Sequence, residues 1–124
     1  NKIKHSISNQ DIPLIYYVRE TDKKLEALKS LNIDVLGIDS TTEIGVIKKQ
    51  IGDKFALQGN LDVNILKKDE SDIIAAIKNI LISYGSNSGH IFNLGTGITP
   101  DINPDKVKML IDNLADISSK INVK

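Results

Sequence analysis

Four short apolar runs, each closed by polar residues and each followed by an amphipathic stretch, set the rhythm of this chain. Pro13 introduces the first, Leu14-Ile15-Tyr16-Tyr17-Val18, which stops at Arg19-Glu20. The second is Val35-Leu36-Gly37-Ile38-Asp39 and the third Phe55-Ala56-Leu57-Gln58-Gly59-Asn60. The fourth is His90-Ile91-Phe92-Asn93-Leu94. The first run is apolar without alternation, which suits a strand buried on both faces, as in parallel sheets. The pattern predicts parallel strands over residues 14–18, 35–39, 55–59 and 90–94.

The intervening stretches read as helices. Thr21 and Asp22 are two candidate N-caps ahead of Leu25, Leu28 and Leu31, an apolar stripe at three-residue spacing. Thr42 is placed to cap a helix from Glu43 to Gln50, whose buried side is Ile44, Ile47 and Ile51. Asp69 or Ser71 caps a longer helix to about Tyr84, with Ile73, Ile74, Ile77, Ile80, Leu81 and Tyr84 on one face. Gly85 is a natural stop. Asn103 and Pro104 supply the N-cap and first residue of a helix to about Ser119. Its stripe is Val107, Leu110, Ile111, Leu114 and Ile117. Lys2 to Ser8 reads as the end of a helix whose start is not in hand.

A strand-helix unit repeated every 30 or so residues is the βαβ period, with parallel strands and right-handed crossovers. Two architectures fit. One is a small open doubly wound sheet. The other is half of an eight-stranded (β/α) barrel, which in full takes about 250 residues. A chain that opens inside a helix favours the second, and makes residues 1–124 one partial domain.

Charge and composition narrow the function. Sixteen lysines and arginines balance sixteen aspartates and glutamates, and Arg19 is the only arginine. Zero net charge argues against a general nucleic-acid surface. With no cysteine there is no disulfide, thiolate chemistry or thiolate metal site. The two histidines, His5 and His90, are far apart, and no spacing suggests a metal site. No apolar run approaches the roughly 20 residues of a membrane span. The opening residues carry no signal-peptide core. A soluble, cytoplasmic protein is expected, with neither nucleic acid nor membrane as partner.

The chemistry is expected between Asn93 and Pro100. Ligands of parallel α/β sheets bind beyond the C-terminal ends of the strands. Gly95 and Gly97 permit unusual backbone angles and close approach of a ligand. The alternative is a strand-to-helix turn whose glycines serve geometry alone.

Several segments together resemble the uroporphyrinogen decarboxylase family. They are Val35-Leu36-Gly37-Ile38-Asp39, then Leu57-Gln58-Gly59-Asn60-Leu61-Asp62, then Gly89 through Ile98, followed by Pro100-Asp101 and Pro104-Asp105-Lys106-Val107. The resemblance spans essentially the whole chain and corresponds to the C-terminal third to half of that enzyme. It implies a (β/α)8 barrel, of which this chain forms four units as the C-terminal half. It also implies a reaction: removal of the four acetate carboxylates of uroporphyrinogen to give coproporphyrinogen, in haem biosynthesis, with no metal or organic cofactor. In the family, the aspartate that binds the pyrrole N–H groups and the arginines that meet the carboxylates come from the N-terminal half. Their motifs are absent here, and Arg19 does not match them. No catalytic residue is therefore expected in this chain, and the isolated fragment is expected to be inactive. Expected partners are uroporphyrinogen, the missing N-terminal half of the barrel, and a further copy in a homo-oligomer.

The family usually carries histidine between the glycines of Asn-Leu-Gly-x-Gly, touching a substrate carboxylate. Here Thr96 takes that place, which leaves one hydroxyl donor and no positive charge. Thr96 is the expected substrate contact; the alternative is a turn residue bonded to its own backbone. Ser40 likewise stands where the family commonly has an aromatic residue. Asp39, Gln58, Asn60 and Asn93 lie at strand ends, where barrel enzymes place functional groups, with Gly95 and Gly97 beside them. Structural roles are favoured for Asp39, Gln58 and Asn60. His90, at a strand's entry, reads as a packing or hydrogen-bonding residue. Tyr16 and Tyr17 point to opposite faces, so at most one of them faces a barrel interior. Two rivals remain. A corrinoid-dependent methyltransferase of the same superfamily is opposed by the lack of cysteine. A non-catalytic remnant or interaction module of the same fold is the other.

Overall fold

Each apolar run forms a strand. The computed structural model describes Ser6 and residues 12–122. The helix end expected over Lys2–Ser8 lies outside them apart from Ser6. The strands are β1 (Ile15–Val18), β2 (Val35–Ile38), β3 (Ala56–Leu61) and β4 (His90–Leu94). They pair in parallel in the order β1-β2-β3-β4. Helices follow each one: α1 (Thr21–Leu28), α2 (Ile44–Ile51), α3 (Glu70–Tyr84) and α4 (Pro104–Asn122). A short 3-10 turn, Val63–Lys67, precedes α3.

All four helices lie on one face of the sheet. Leu36, Ile38 and Leu57 point into a core shared with Leu25 and Leu28 of α1, Ile44, Ile47 and Ile51 of α2, and Tyr84 of α3. Leu61, Phe92 and Leu94 meet Ile73 and Ile77 of α3 and Leu110 and Ile117 of α4 in a second cluster. A doubly wound sheet would put helices on both faces. Over the described strand-helix units, the single helical layer makes this a partial (β/α) barrel of four units.

The bare face is concave. Strand residues one step out of phase with the core line it: Ile15 and Tyr17, Gly37, Gln58, then Ile91 and Asn93. The Tyr17 hydroxyl donates to the Gly95 carbonyl at 2.8 Å. On a flat sheet β1 and β4 would stand roughly 14 Å apart, beyond the reach of a tyrosine side chain. The sheet must therefore curl towards that face. Gly37 makes room, since a Cβ there would sit 3.1 Å from Tyr17 Cβ. Tyr17, not Tyr16, is the tyrosine on the barrel-interior side.

Several local expectations are corrected. Neither Thr21 nor Asp22 caps α1; Glu20 holds that position in a left-handed conformation, φ 54°. Thr42 does not cap α2 either. Glu43 precedes the helix without a side-chain capping bond, and the Thr42 hydroxyl turns to Asp39 at 3.3 Å instead. Leu31 packs on the core from the loop after α1 rather than from the helix. Strand β3 runs past residue 59 to Leu61, and α4 runs past Ser119 to Asn122. Ile111 is 59% exposed, although the stripe put it inside. It lies about 100° around the helix from Leu110, and α4, the last helix of the layer, is flanked by α3 on one side only among the described residues. Asn103 does act as predicted, accepting from the Asp105 N–H at 2.9 Å.

Candidate functional site

The polar residues at the strand ends divide into two groups. The first is a buried cluster around Asp39, which is 4% exposed. Its Oδ1 accepts from the Thr21 N–H at 3.3 Å, the Thr21 hydroxyl at 3.1 Å and the Thr42 hydroxyl at 3.3 Å. Its Oδ2 accepts from the Thr41 hydroxyl at 2.5 Å. Burial pushes this carboxyl up. The Thr41 hydroxyl, the backbone N–H groups of Thr21 and Glu20, and the Thr21 hydroxyl outweigh that and hold it at about 2. Asn60, also buried, donates its amide to the Asp39 carbonyl at 2.9 Å and to the Thr42 carbonyl at 2.5 Å. Asp39 and Asn60 thus tie the ends of β2 and β3 to the start of α1, and their side chains are spent on the protein itself.

The second group lines an open cavity of about 390 Å³ at the C-terminal mouth of the concave face. Its walls include Tyr17, Arg19, Gln58, Asn93, Thr96 and Ile98. Thr96 is exposed. Its hydroxyl makes no hydrogen bond among the described residues, so the expected alternative, a bond to the local backbone, does not form. Asn93 accepts from the Leu94 N–H at 2.8 Å, which leaves its amide N–H groups to the cavity. None of the lining residues is a carboxylate. The cavity is a set of donors, with a guanidinium, two amides and a hydroxyl around one opening, and it suits an anionic ligand.

The two glycines of the loop differ. A Cβ on Gly95 would fall 2.8 Å from both Cα and Cβ of Ser40. The close approach this glycine permits is therefore to the end of β2. Ser40, where a larger residue was expected, fits against it. Gly97 has no atom within 4 Å of a built Cβ and opens to solvent at the rim. Gly95→Ala is expected to force the ends of β2 and β4 apart and to cost roughly 2 kcal/mol by overpacking, read from urea denaturation. An equal midpoint for the variant would show that Ser40 yields freely.

His90 sits at the other end of its strand. It stacks on Tyr84 with ring centroids 4.5 Å apart. Its Nε2 lies 2.9 Å from the Gly59 carbonyl, an acceptor only, so the proton is assigned to Nε2. Burial lowers its pKa, against the pull of that bond. A cavity of about 440 Å³ beside it, lined by Tyr84, Phe92 and Leu114 among others, faces away from the mouth. Among the described residues no cluster of histidine, aspartate or glutamate could hold a metal ion, and no helix is long and apolar enough to cross a membrane.

Sequence reasoning missed Arg19 as a site residue, since it was weighed only against motifs it does not match. Its place one residue beyond β1 was the available signal, because barrel strands deliver side chains there to the mouth.

Residues 1–117 match the family model described as Uroporphyrinogen decarboxylase (URO-D). Among curated proteins, the chain is 41% identical over 110 residues to uroporphyrinogen decarboxylase of Tolumonas auensis, covering 89% of this chain and 31% of that protein. It is 37% identical over 119 residues to uroporphyrinogen decarboxylase of Hahella chejuensis, covering 96% of this chain and 33% of that one. The chain spans about a third of the length of the curated relatives it matches. Among solved structures, a methyltransferase from Methanosarcina mazei superposes with a TM-score of 0.74 at 19% identity, over 90% of this chain and 33% of its own. At that identity the likeness is one of fold.

Proposed function

The chain belongs to the uroporphyrinogen decarboxylase family, and on that premise we propose that it is the C-terminal portion of an enzyme that converts uroporphyrinogen to coproporphyrinogen. In each of the four steps an acetate side chain loses its carboxylate. Protonation of a pyrrole carbon makes the ring an electron sink; the bond to the carboxylate breaks, carbon dioxide leaves, and its electron pair enters the ring. A second proton then reaches the side-chain carbon as the ring proton is lost, so one proton replaces each carboxylate. Neither metal nor organic cofactor is needed for this balance. The acid and the group that stabilises the cationic ring belong to the rest of the enzyme in this reading.

The share of this chain is to hold the polyanion. The observation that supports this is the mouth cavity, where Gln58, Asn93 and Thr96 offer donors and no lining residue is a carboxylate. A substrate carrying eight carboxylates needs such surfaces. Thr96 is proposed as a direct contact, with Gln58 and Asn93 beside it. Asp39, Asn60 and Gly95 shape the cavity without touching the ligand.

The test is anaerobic turnover of uroporphyrinogen by the full-length protein, with and without a chelator. Coproporphyrinogen at equal rates in both is expected. A hydrogen bond to a charged group is worth about 1.5–3 kcal/mol, so Thr96→Ala should raise KM by about ten- to a hundredfold, with kcat little changed. A well-folded full-length protein with no turnover would leave the non-catalytic module of the same fold as the better reading.

A further inference from the structure

Arg19 is the only arginine in the chain, and its guanidinium makes no ion pair or hydrogen bond among the described residues. Every ion pair between described residues uses lysine. An exposed, unpaired cation is unremarkable by itself. This one differs in how its backbone is held and in what it faces.

The segment is fixed on both sides. Two residues earlier, the Tyr17 hydroxyl is tied to the Gly95 carbonyl at 2.8 Å, on the loop that carries Thr96. Directly after it, Glu20 turns the chain in a left-handed conformation. Thr21 is then anchored on buried Asp39 through its N–H and its hydroxyl. The carbonyl of Arg19 itself accepts from Lys24 Nζ at 2.7 Å. The side chain leaves this pinned turn as a wall of the cavity that also contains Gln58, Asn93 and Thr96. With no carboxylate in that wall, nothing in it competes for the guanidinium.

We infer that Arg19 binds a carboxylate of the substrate at this mouth, as the charged half of a clamp whose neutral half is Thr96. The inference rests on the proposed function, which supplies the polycarboxylate. A guanidinium presents two parallel N–H donors to the two oxygens of a carboxylate, a fit that lysine cannot reproduce. Thr96 then adds a single donor from across the cavity. The Tyr17–Gly95 bond holds the two loops together, so the clamp is set before substrate arrives and little ordering cost remains.

Arg19→Gln and Arg19→Lys in the full-length protein test this. Loss of a charge-assisted contact should raise KM for uroporphyrinogen about ten- to a hundredfold, with kcat within about threefold of wild type. Arg19→Lys should recover part of the loss, because charge survives and the fork does not. Binding of coproporphyrin, which carries four carboxylates, should weaken in parallel, and the salt dependence of its Kd should become shallower in Arg19→Gln. Unfolding midpoints should match wild type, since the side chain has no partner within the fold. An active wild type with KM and coproporphyrin Kd unchanged in Arg19→Gln would overturn the inference and leave the proposed function standing. A kcat loss at constant KM would also overturn it. A folded wild type that neither turns over uroporphyrinogen nor binds coproporphyrin would overturn the proposed function, and the inference with it.

Discussion

Asp39→Ala is expected to destabilise the fold by roughly 3–4 kcal/mol. Four donors converge on this carboxylate from Thr21, Thr41 and Thr42. Alanine would leave the buried Thr21 N–H without its acceptor, while the Thr21 hydroxyl keeps the Val18 carbonyl at 3.1 Å. Asp39→Asn is the sharper variant. It keeps the volume but turns an amide NH₂ towards groups that are themselves donors. The acid dependence separates charge from shape. The carboxyl lies near 2 in the folded protein, below the roughly 3.9 of an unfolded aspartate. A depressed folded value means the stabilisation is fully present above about pH 4 and disappears as pH falls through about 2. The stability gap between wild type and Asp39→Asn should therefore close over that window, by about 2–3 kcal/mol. Asp101 provides the control. Lys67 and the Thr99 hydroxyl also hold its carboxyl at about 2, but it lies on the exposed surface. Asp101→Asn should barely move the unfolding midpoint at any pH. Equal pH profiles for the two variants would remove burial from the explanation.

The first three strands were legible because each is an apolar run with polar closure, and in a parallel sheet that signal needs no partner to interpret. Helix stripes were legible for a similar reason. Ile44, Ile47 and Ile51 are all buried because α2 packs on both the sheet and α3. Ile111 was misjudged because a stripe shows which residues share a face, but not how far the neighbouring elements reach around it. Capping failed for a different reason. Thr21 and Thr42 have the side chains of good caps, yet both are drawn to Asp39, which lies eighteen residues from one and three from the other. A buried charge competes more strongly for a hydroxyl than a solvated helix end does.

The site itself was half legible. Asn93, Thr96 and Gly97 announce themselves as a glycine-hinged loop after a strand. The partner wall does not, since Tyr17 meets Gly95 across 78 residues of sequence. Ser40 beside Gly95 belongs to the same class. The absence of a side chain at one position and the small size at another become meaningful only when the curled sheet brings the ends of β2 and β4 together. Periodicity reports the faces of an element, whereas curvature of the whole sheet decides which of those faces share a cavity.

The isolated 124-residue chain is expected to have no decarboxylase activity and not to persist as a monomer. The concave face that a closed barrel fills with layered side chains is bare among the described residues. Ile15 is 48% exposed, Tyr17 46% and Ile91 42%. Among the described residues both outer strands also end the sheet, for β1 and β4 each pair with one neighbour there. No lysine or proline interrupts Ile15–Val18, so the usual protection of an edge strand is missing. The Tyr17–Gly95 bond does not substitute for closure, because it joins the two outer strands at their tips and leaves their backbone donors and acceptors open. Two outcomes relieve this exposure. The remaining units of the barrel can occupy the bare face, or a second copy can oppose it so that two halves enclose one core. Sedimentation velocity on the chain alone should show dimers or larger species, and, on the proposed function, adding the rest of the barrel should convert them to a stoichiometric complex that turns over uroporphyrinogen. Asp or Lys at position 91 should shift the isolated chain towards monomer by placing charge on the apolar face, and should weaken the complex as well. A sharp, cooperatively unfolding monomer at tens of micromolar would contradict this account, because it would mean that the four units carry a sufficient core on their helical face alone.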